Sequence, residues 1–281
     1  MLQASTRAVL IAPVIAACLL LGACGLPFQQ HAGTGGPSVP RAAAVPAAAP
    51  GEAVAAGSPA TGGFTAVDPS SLPAGALFRN PANGRDEVIT DNIGRTALLI
   101  GDSQSEPAAS WPRRALAGLG YDVFFCGRGG TGFVASNGAT GNYVDALQRG
   151  HWHLPYGFPP LVVIEGGGND AKQGATDAQI AANAGSLITT LKQRYPGAKL
   201  VMVGTLGKGA GNGGGRRAEV DALLGTVAAE HGILFVSVGD WLTRYGLEDQ
   251  LADSVHMNDD GHRALGALLR GRLSALGLDA G

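Results

Sequence analysis

Five short apolar runs recur through the C-terminal part of this chain, and each is continuous rather than alternating between apolar and polar residues. They span residues 96–100, 122–125, 161–165, 200–203 and 233–236. A continuous apolar run of this length is typical of a strand that is covered on both faces, as in a parallel sheet. The runs therefore predict a buried parallel sheet of about five strands.

Helix-like stretches alternate with these runs, at residues 108–119, 177–195, 216–231 and 259–276. Thr176 and Asn258 stand immediately before the second and the last of them, where N-caps are expected. Strand–helix alternation favours an α/β fold in which right-handed crossovers place helices on both faces of the sheet. We predict a three-layer α/β/α sandwich around the parallel sheet.

Polar and glycine-rich segments follow the predicted strands. The first strand leads into residues 101–105 (Gly-Asp-Ser-Gln-Ser), the second into 127–132 and the third into 166–170. Residues 253–256 (Asp-Ser-Val-His) follow the fifth strand and precede the last helix. Because the carboxyl ends of parallel strands open on one edge of a sheet, we expect these segments to converge there.

Ser103, His256 and Asp253 are the candidates for a nucleophilic unit at that edge. A serine hydroxyl is a weak nucleophile and needs a base within hydrogen-bond reach, which the neutral imidazole of His256 can provide. Asp253 stands three residues earlier in the same loop, close enough to hold the imidazole in the required tautomer. The alternative is an ordinary turn with a helix cap, together with a solvated loop that holds an incidental histidine.

Gly130 and Asn169 are the candidate donors to a developing oxyanion. A glycine lets its backbone N–H approach a ligand closely because it has no Cβ atom, and an asparagine amide donates without being able to ionise. The Ser103 N–H is a third candidate. The other glycines of segment 127–132 compete with Gly130 for this role, and such a loop is by itself an ordinary turn.

Together these segments resemble the four sequence blocks of the SGNH (GDSL) hydrolase family, over about residues 97–276. The resemblance implies a flavodoxin-like α/β/α fold and a serine esterase without cofactor or metal. It implies that Ser103 is the nucleophile and that Asp253 and His256 complete its triad. It also implies that Gly130 and Asn169 form the oxyanion hole.

Two positions depart from the family pattern. Gln104 stands where the family often has a leucine, so we expect different packing beneath the nucleophile. The second block lacks the asparagine that is common before its glycine, which leaves the choice among the glycines of 127–132 open.

Residues 1–24 are typical of an export signal, with Arg7 as the only charged side chain and an apolar stretch at 8–21. The ending Leu-Gly-Ala-Cys resembles a bacterial lipobox, which implies that Cys24 becomes the lipidated first residue of the mature protein. An ordinary cleaved signal is the alternative. We therefore expect an exported protein, either lipid-anchored to the cell membrane and facing the periplasm or the exterior, or secreted.

Residues 25–75 are rich in Gly, Pro, Ala, Ser and Thr without a periodic pattern, which predicts a disordered tether. The catalytic domain is predicted at residues 76–281, an ordinary size for one domain. Cys126 is its single cysteine, so no disulfide can form within it. We expect a buried thiol at Cys126, and a catalytic cysteine is the alternative.

The net charge of −2 at pH 7 over 281 residues gives no electrostatic footprint for nucleic acid. The loop 127–132 contains no P-loop pattern and does not complete a dinucleotide fingerprint. His151 and His153 have no cysteine or acidic partner nearby, which favours a surface loop over a metal site. We expect no cofactor, no metal and no nucleic-acid partner, and a monomeric protein.

Three functions fit these residues. The first is a serine esterase that removes an acyl group, acetyl-like by the family resemblance, from an envelope carbohydrate or a small ester. The second is an acyltransferase that passes this acyl group to a sugar hydroxyl. The third is a non-catalytic envelope binding protein, which the intact triad argues against. The aromatic stretch 136–160 is expected either as a cleft wall or as a packed loop, and segment 206–217 as a lid or as slack chain.

Overall fold

The computed structural model describes residues 67–281. The predicted signal, most of the predicted tether, and Cys24 lie outside the described residues. Residues 67–75, at the end of the predicted tether, include a 3-10 helix, Pro69–Ser71. Between residues 67 and 281, no helix is long and apolar enough to cross a membrane.

The described residues form seven strands in two sheets. In chain order the strands are β1 (Leu77–Asn80), β2 (Arg85–Val88), β3 (Thr96–Gly101), β4 (Asp122–Gly127), β5 (Leu161–Glu165), β6 (Lys199–Val203) and β7 (Leu234–Val236). Strands β1 and β2 pair as an antiparallel hairpin. The others form a parallel sheet in the order β4-β3-β5-β6-β7. The predicted α/β fold with a central parallel sheet of five strands is confirmed.

Helices lie between the strands of the parallel sheet and after its last strand. In chain order they are α1 (Trp111–Gly118), α2 (Tyr143–Gln148), α3 (Gly168–Gln173), α4 (Asp177–Arg194), α5 (Gly215–Glu230), α6 (Trp241–Arg244) and α7 (Asp259–Ala275). The four predicted helices correspond to α1, α4, α5 and α7. Thr176 and Asn258 cap α4 and α7 as predicted, because each side chain accepts a backbone N–H of its first turn.

Two apolar cores lie on the two faces of the parallel sheet. Ala97 and Leu99 of β3 pack into one core with α1 and α7, whereas Leu98 and Ile100 pack into the other with α4 and α5. All four side chains are fully buried. Burying a side chain as large as leucine stabilises the fold by roughly 1.5–3 kcal/mol. The double-sided burial explains why the strand sequences are continuously apolar.

Strand β3 lies at the point where the chain changes direction across the sheet. It pairs with β4 on one side and with β5 on the other, so its Leu99 is opposite both Phe125 and Val163. The chain therefore leaves β3 towards one edge and returns past it to build the rest of the sheet. In such sheets the carboxyl ends of the two strands at the switch leave a crevice that binds ligands.

The hairpin of β1 and β2 and the short helices α2, α3 and α6 are not predicted by the apolar pattern. Each hairpin strand has four residues, and charged or amide side chains interrupt the apolar positions. The hairpin is fastened by a buried carboxylate, since Glu87 accepts hydrogen bonds from the Asn80 and Asn83 amides, each at 2.8 Å, and pairs with Arg194 at 2.6 Å.

Candidate active site

Ser103 lies in a tight turn that joins β3 to the chain leading into α1. The Asp102 carbonyl accepts the backbone N–H groups of Ser105, at 3.0 Å, and Glu106, at 2.9 Å. Gly101 makes the turn possible, because a Cβ atom there would lie 2.5 Å from the Ser105 hydroxyl oxygen. The turn thus places Ser103 at the switch point, with its side chain half-buried.

The three predicted triad residues meet at this position. His256 Nε2 lies 2.9 Å from Ser103 Oγ, and His256 Nδ1 lies 2.8 Å from Asp253 Oδ2. These are hydrogen-bond distances, and the order of the groups is the one that lets an imidazole take the serine proton while a carboxylate orients it. The arrangement is therefore chemically competent for nucleophilic attack by Ser103.

Asp253 is held by its own loop. Its Oδ1 atom accepts the backbone N–H groups of Val255 and His256, both at 2.7 Å. Hydrogen bonds from the His256 N–H and the His256 side chain, followed by the Val255 N–H, hold the pKa of Asp253 well below its usual range. Asp253 thus stays ionised under acidic conditions, and its second oxygen is left to orient His256.

Gly130 is the glycine of segment 127–132 whose backbone N–H is available. The Gly129 N–H donates to Glu106 Oε2 at 2.8 Å, and the Gly132 N–H donates to the Ala135 carbonyl at 3.0 Å. Gly127 lies within β4, opposite Gly101. Neither the Gly130 nor the Ser103 N–H has a hydrogen-bond partner among the described residues. Gly130 also has a φ of +81°, a conformation that favours glycine.

Asn169 lies in the first turn of α3, between the nucleophile turn and the glycine loop. Its Nδ2 atom donates to Asp102 Oδ2 at 3.0 Å and to the Thr131 carbonyl at 2.9 Å. Both amide hydrogens therefore have acceptors in this state. A bond from Asn169 to an oxyanion would share one of these hydrogens or replace one of these bonds.

Asp170 fixes the segment that follows the glycine loop. Its carboxylate accepts the backbone N–H groups of Phe133, Val134 and Ala135 at 2.6–3.0 Å. Asp170 is fully buried, and a Cβ atom on Gly132 would lie 2.4 Å from its Oδ2 atom. The residue after Asn169 in the sequence thus holds the loop that carries Gly130.

Asp102 and Glu165 are two buried acidic side chains near the nucleophile turn, and the sequence analysis did not single them out. Ser105 Oγ donates to Glu165 Oε2 at 2.8 Å. Burial raises the pKa of Asp102 to about 6 and raises the pKa of Glu165 well above its usual value. Arg217 lowers both pKa values through its charge, and its Nε atom donates to the Leu206 carbonyl at 2.8 Å. A charged residue that ends a buried apolar strand, as Glu165 does, is the available sequence signal.

Three other sequence candidates lie apart from this chemistry. Cys126 is buried as expected; burial raises the pKa of its thiol, and its Sγ atom donates to the His153 carbonyl at 3.3 Å. His151 Nδ1 accepts the Gly141 N–H at 3.1 Å. In the part of the chain that the structure describes, no cluster of three or more His, Cys, Asp or Glu side chains could hold a metal.

Two aromatic residues of the stretch 136–160, Tyr143 and Tyr156, pack against the rest of the domain. Tyr143 is fully buried and donates its hydroxyl to the Glu165 carbonyl at 2.9 Å. Tyr156 packs edge-on against Phe78 of β1, with ring centroids 4.9 Å apart. The packed-loop alternative therefore describes Tyr143 and Tyr156 better than a cleft wall does.

In segment 206–217, the Gly209 N–H bonds to the Gly239 carbonyl at 2.7 Å.

Comparison with known proteins bears on this site and fold. A family model described as "GDSL-like Lipase/Acylhydrolase family" matches residues 89–264. An active-site mutant of a family two carbohydrate esterase from Clostridium thermocellum is 15% identical, with a TM-score of 0.52 over 69% of this chain and 68% of its own. Comparison with curated proteins finds no similar sequence.

Two further solved structures are similar to this chain. Est24, a carbohydrate acetylesterase from Sinorhizobium meliloti, is 21% identical, with a TM-score of 0.49 over 65% of this chain and 99% of its own. TesA is 27% identical, with a TM-score of 0.47 over 64% of this chain and 99% of its own.

We expect Asn169→Ala to retain the fold and to lower kcat for hydrolysis of an activated ester by roughly a hundredfold, as loss of one oxyanion donor does. KM should change little, because the bond would form mainly in the transition state. Steady-state kinetics with p-nitrophenyl acetate, with circular dichroism as a check of folding, measures this.

Asn183→Ala is the matched control. Its amide also donates to a backbone carbonyl, that of Phe133, at 2.7 Å, but it does not contact the nucleophile turn. An unchanged kcat in Asn169→Ala would remove Asn169 from the oxyanion hole, and an equal loss in both variants would make its role structural.

Proposed function

Because the chain belongs to the GDSL-like lipase/acylhydrolase family, we propose that it is a serine esterase that hydrolyses short-chain O-acyl esters of an envelope carbohydrate through an acyl-serine intermediate. That the chain is an ester hydrolase follows from the family match, which covers residues 89–264. The observation that carries the mechanism is the Ser103–His256–Asp253 arrangement, with its distances of 2.9 and 2.8 Å.

In the proposed first step Ser103 Oγ attacks the ester carbonyl carbon while His256 Nε2 takes the hydroxyl proton. The tetrahedral intermediate collapses, the bond to the alcohol oxygen breaks, and the imidazolium returns the proton to the leaving alcohol. Water then attacks the acyl-serine with His256 again as base, which releases the acid and restores Ser103. Asp253 orients the imidazole and stabilises its charged form in both steps.

The oxyanion is proposed to form next to the unpaired N–H groups of Gly130 and Ser103, with Asn169 as a third donor. The support is geometric, because the N–H groups of Gly129, Thr131 and Gly132 have partners and these two do not among residues 67–281. Preorganised donors stabilise developing charge without having to rearrange during the reaction.

An open site supports a substrate with a bulky alcohol part. The side chains of His256 and Asp253 are 40% and 55% exposed, so the base and the acid lie at the surface rather than in a closed cavity. Such a site can reach an acyl group that projects from a carbohydrate. A similar fold occurs in the carbohydrate esterase from Clostridium thermocellum, which makes this substrate class the one to test first.

The glycine loop lies against one side of the nucleophile. A Cβ atom on Gly129 would lie 3.4 Å from Ser103 Cβ, which is ordinary van der Waals contact. The Gly129 N–H is bound to Glu106, which also forms an ion pair with Arg128 at 3.1 Å, so this side of the site is held in place. We propose that the acyl group lies beside this fixed wall and is short.

An acyltransferase is the second candidate, because a sugar hydroxyl can take the place of water at the acyl-serine of an open site. Product analysis with and without a sugar acceptor separates the two reactions, since only a transferase forms the acylated sugar. A non-catalytic binding protein is a weaker candidate, because binding alone does not need His256 within 2.9 Å of Ser103 Oγ.

A panel of esters is expected to show a preference for short chains. We expect kcat/KM for p-nitrophenyl acetate to exceed that for p-nitrophenyl octanoate by about tenfold or more, since even one misfitting methylene costs roughly 1–3 kcal/mol. Release of acetate from an acetylated sugar tests the carbohydrate part. Faster hydrolysis of the octanoate, or no acetate release, would contradict the proposed substrate class.

Ser103→Ala and His256→Ala are each expected to lower ester hydrolysis by about a thousandfold or more, and the double variant should be scarcely worse, because the residues act as one unit. Asp253→Ala should retain more activity, since it orients rather than reacts.

Ser254→Ala, an exposed substitution in the same loop, serves as the control and should hydrolyse at the rate of the parent. A fluorophosphonate probe provides an independent measurement, since labelling needs an activated serine. Parent-like hydrolysis by a folded Ser103→Ala protein would refute the nucleophile assignment.

We also propose that the protein is exported and anchored to a membrane through a lipid on Cys24. The support is the Leu-Gly-Ala-Cys ending of the signal-like segment 1–24 and the Gly/Pro/Ala-rich segment that follows it. Several acyl chains on one residue hold a protein firmly at a membrane, whereas a single chain does so only marginally.

Cys24→Ala is therefore expected to move the full-length protein from the detergent phase to the aqueous phase in Triton X-114 partitioning. Cys18→Ala is the matched control, because it removes a cysteine from the same segment and leaves the Leu-Gly-Ala-Cys ending intact. Identical partitioning of the parent and Cys24→Ala would refute lipidation.

A further inference from the structure

Gln104, the residue after the proposed nucleophile, is buried and bonded at both ends of its side-chain amide. Its Nε2 atom donates to the Val255 carbonyl at 2.8 Å, and its Oε1 atom accepts the indole N–H of Trp111 at 3.1 Å. Its backbone N–H donates to Asp102 Oδ1 at 2.9 Å. The side chain therefore bridges the nucleophile turn, helix α1 and the loop that carries the base.

We propose that Gln104 is a positioning residue that sets the distance between Ser103 Oγ and His256 Nε2. The inference rests on the proposed function, in which these two atoms exchange a proton. Gln104 directly follows Ser103 and Val255 directly precedes His256, so one hydrogen bond, from the Gln104 side chain to the Val255 backbone carbonyl, joins the neighbours of both reacting residues.

The loop around His256 has little other attachment to the nucleophile turn. Within the loop, the Ala252 N–H bonds to the His256 carbonyl at 2.8 Å, and Asp253 accepts two further N–H groups. Across residues 67–281, the hydrogen bonds that join residues 252–256 to residues 101–105 are the Gln104–Val255 bond and the reacting contact itself. Without Gln104, the contact that must change during catalysis would be the only hydrogen bond between these two segments of the described chain.

Trp111 determines which way the Gln104 amide points. An indole N–H can only donate, so it selects the amide oxygen and leaves the amide nitrogen to face Val255. Trp111 is fully buried at the start of α1, and its backbone N–H donates to His262 Nδ1 on α7 at 3.2 Å. A rigid residue thus orients Gln104, and Gln104 in turn orients the loop. The leucine that is common at this position in the family could make neither bond.

The first test is Gln104→Met, which keeps the length of the side chain and removes both hydrogen bonds. A displacement of about 1 Å between reacting groups can cost up to a hundredfold in rate. We expect kcat to fall by about tenfold or more, with KM within about twofold, and the fluorophosphonate labelling rate to fall in parallel. Trp111→Phe, which removes the indole donor together with part of the ring and leaves the bond to Val255 possible, should show a smaller loss in the same sense.

The second test is Gln104→Glu, which distinguishes positioning from a merely structural role. Its ionised carboxylate would place an oxygen against the Val255 carbonyl, whereas the protonated form can donate there and still accept from Trp111. The ratio of its kcat to that of the parent should therefore rise as the pH is lowered. A structural role predicts a ratio that does not depend on pH.

Gln148→Met, an exposed substitution on α2 away from the site, is the matched control and should leave kcat unchanged. Parent-like kcat and labelling in Gln104→Met, or a pH-independent ratio in Gln104→Glu, would overturn the positioning role while an inactive Ser103→Ala leaves the proposed function in place. An active Ser103→Ala would overturn the proposed function and the positioning role with it. If Gln104→Met does not fold, the Gln104→Glu ratio decides.

Discussion

The pairing of β3 with both β4 and β5 determines where the candidate catalytic groups of this protein can lie. Since both neighbours are parallel to β3, the chain leaves the sheet on the same edge after each strand. That edge receives Ser103 from β3, the Gly130 loop from β4 and Asn169 from β5. The loop before α7 brings His256 to the same place. The position of the site follows from sheet topology, and side-chain chemistry then determines its use.

Buried polar groups turn this approximate convergence into a defined geometry. Asp170 binds three backbone N–H groups of the loop after Gly132, while Asn169 joins Asp102 to Thr131. Hydrogen bonds to charged groups contribute about 1.5–3 kcal/mol each, and an unpaired buried carboxylate would cost more. Asp170 and Asn169 thus fix the loops without forming or breaking covalent bonds, while the side chains of His256 and Asp253 remain exposed at the surface.

Much of the fold is predictable because burial and helix capping each leave a pattern within one short segment of the sequence. The five runs of apolar residues predict the five strands of the sheet, and helical stretches predict α1, α4, α5 and α7. Double-sided burial leaves a direct mark on the sequence of the strands, and side-chain caps do so at the start of α4 and α7. The hairpin of β1 and β2 leaves no such mark, since its strands are short and it is held by the buried Glu87, whose partner Arg194 is distant in the chain. The same is true of α2, α3 and α6, which are only four to six residues long.

The sequence by itself determined the residues from which a site could be built: a Gly-Asp-Ser turn after one strand, an Asn-Asp pair after another, and an Asp-x-x-His loop before the last helix. Only the tertiary structure decided which glycine of 127–132 has an available N–H, that Asn169 is already bonded to Asp102 and Thr131, and that Gln104 reaches Val255. The physical reason is the range of the interactions. Burial and capping repeat within one segment, whereas a hydrogen bond between residues 151 positions apart, as in Gln104–Val255, exists only once the sheet has brought both segments to one edge.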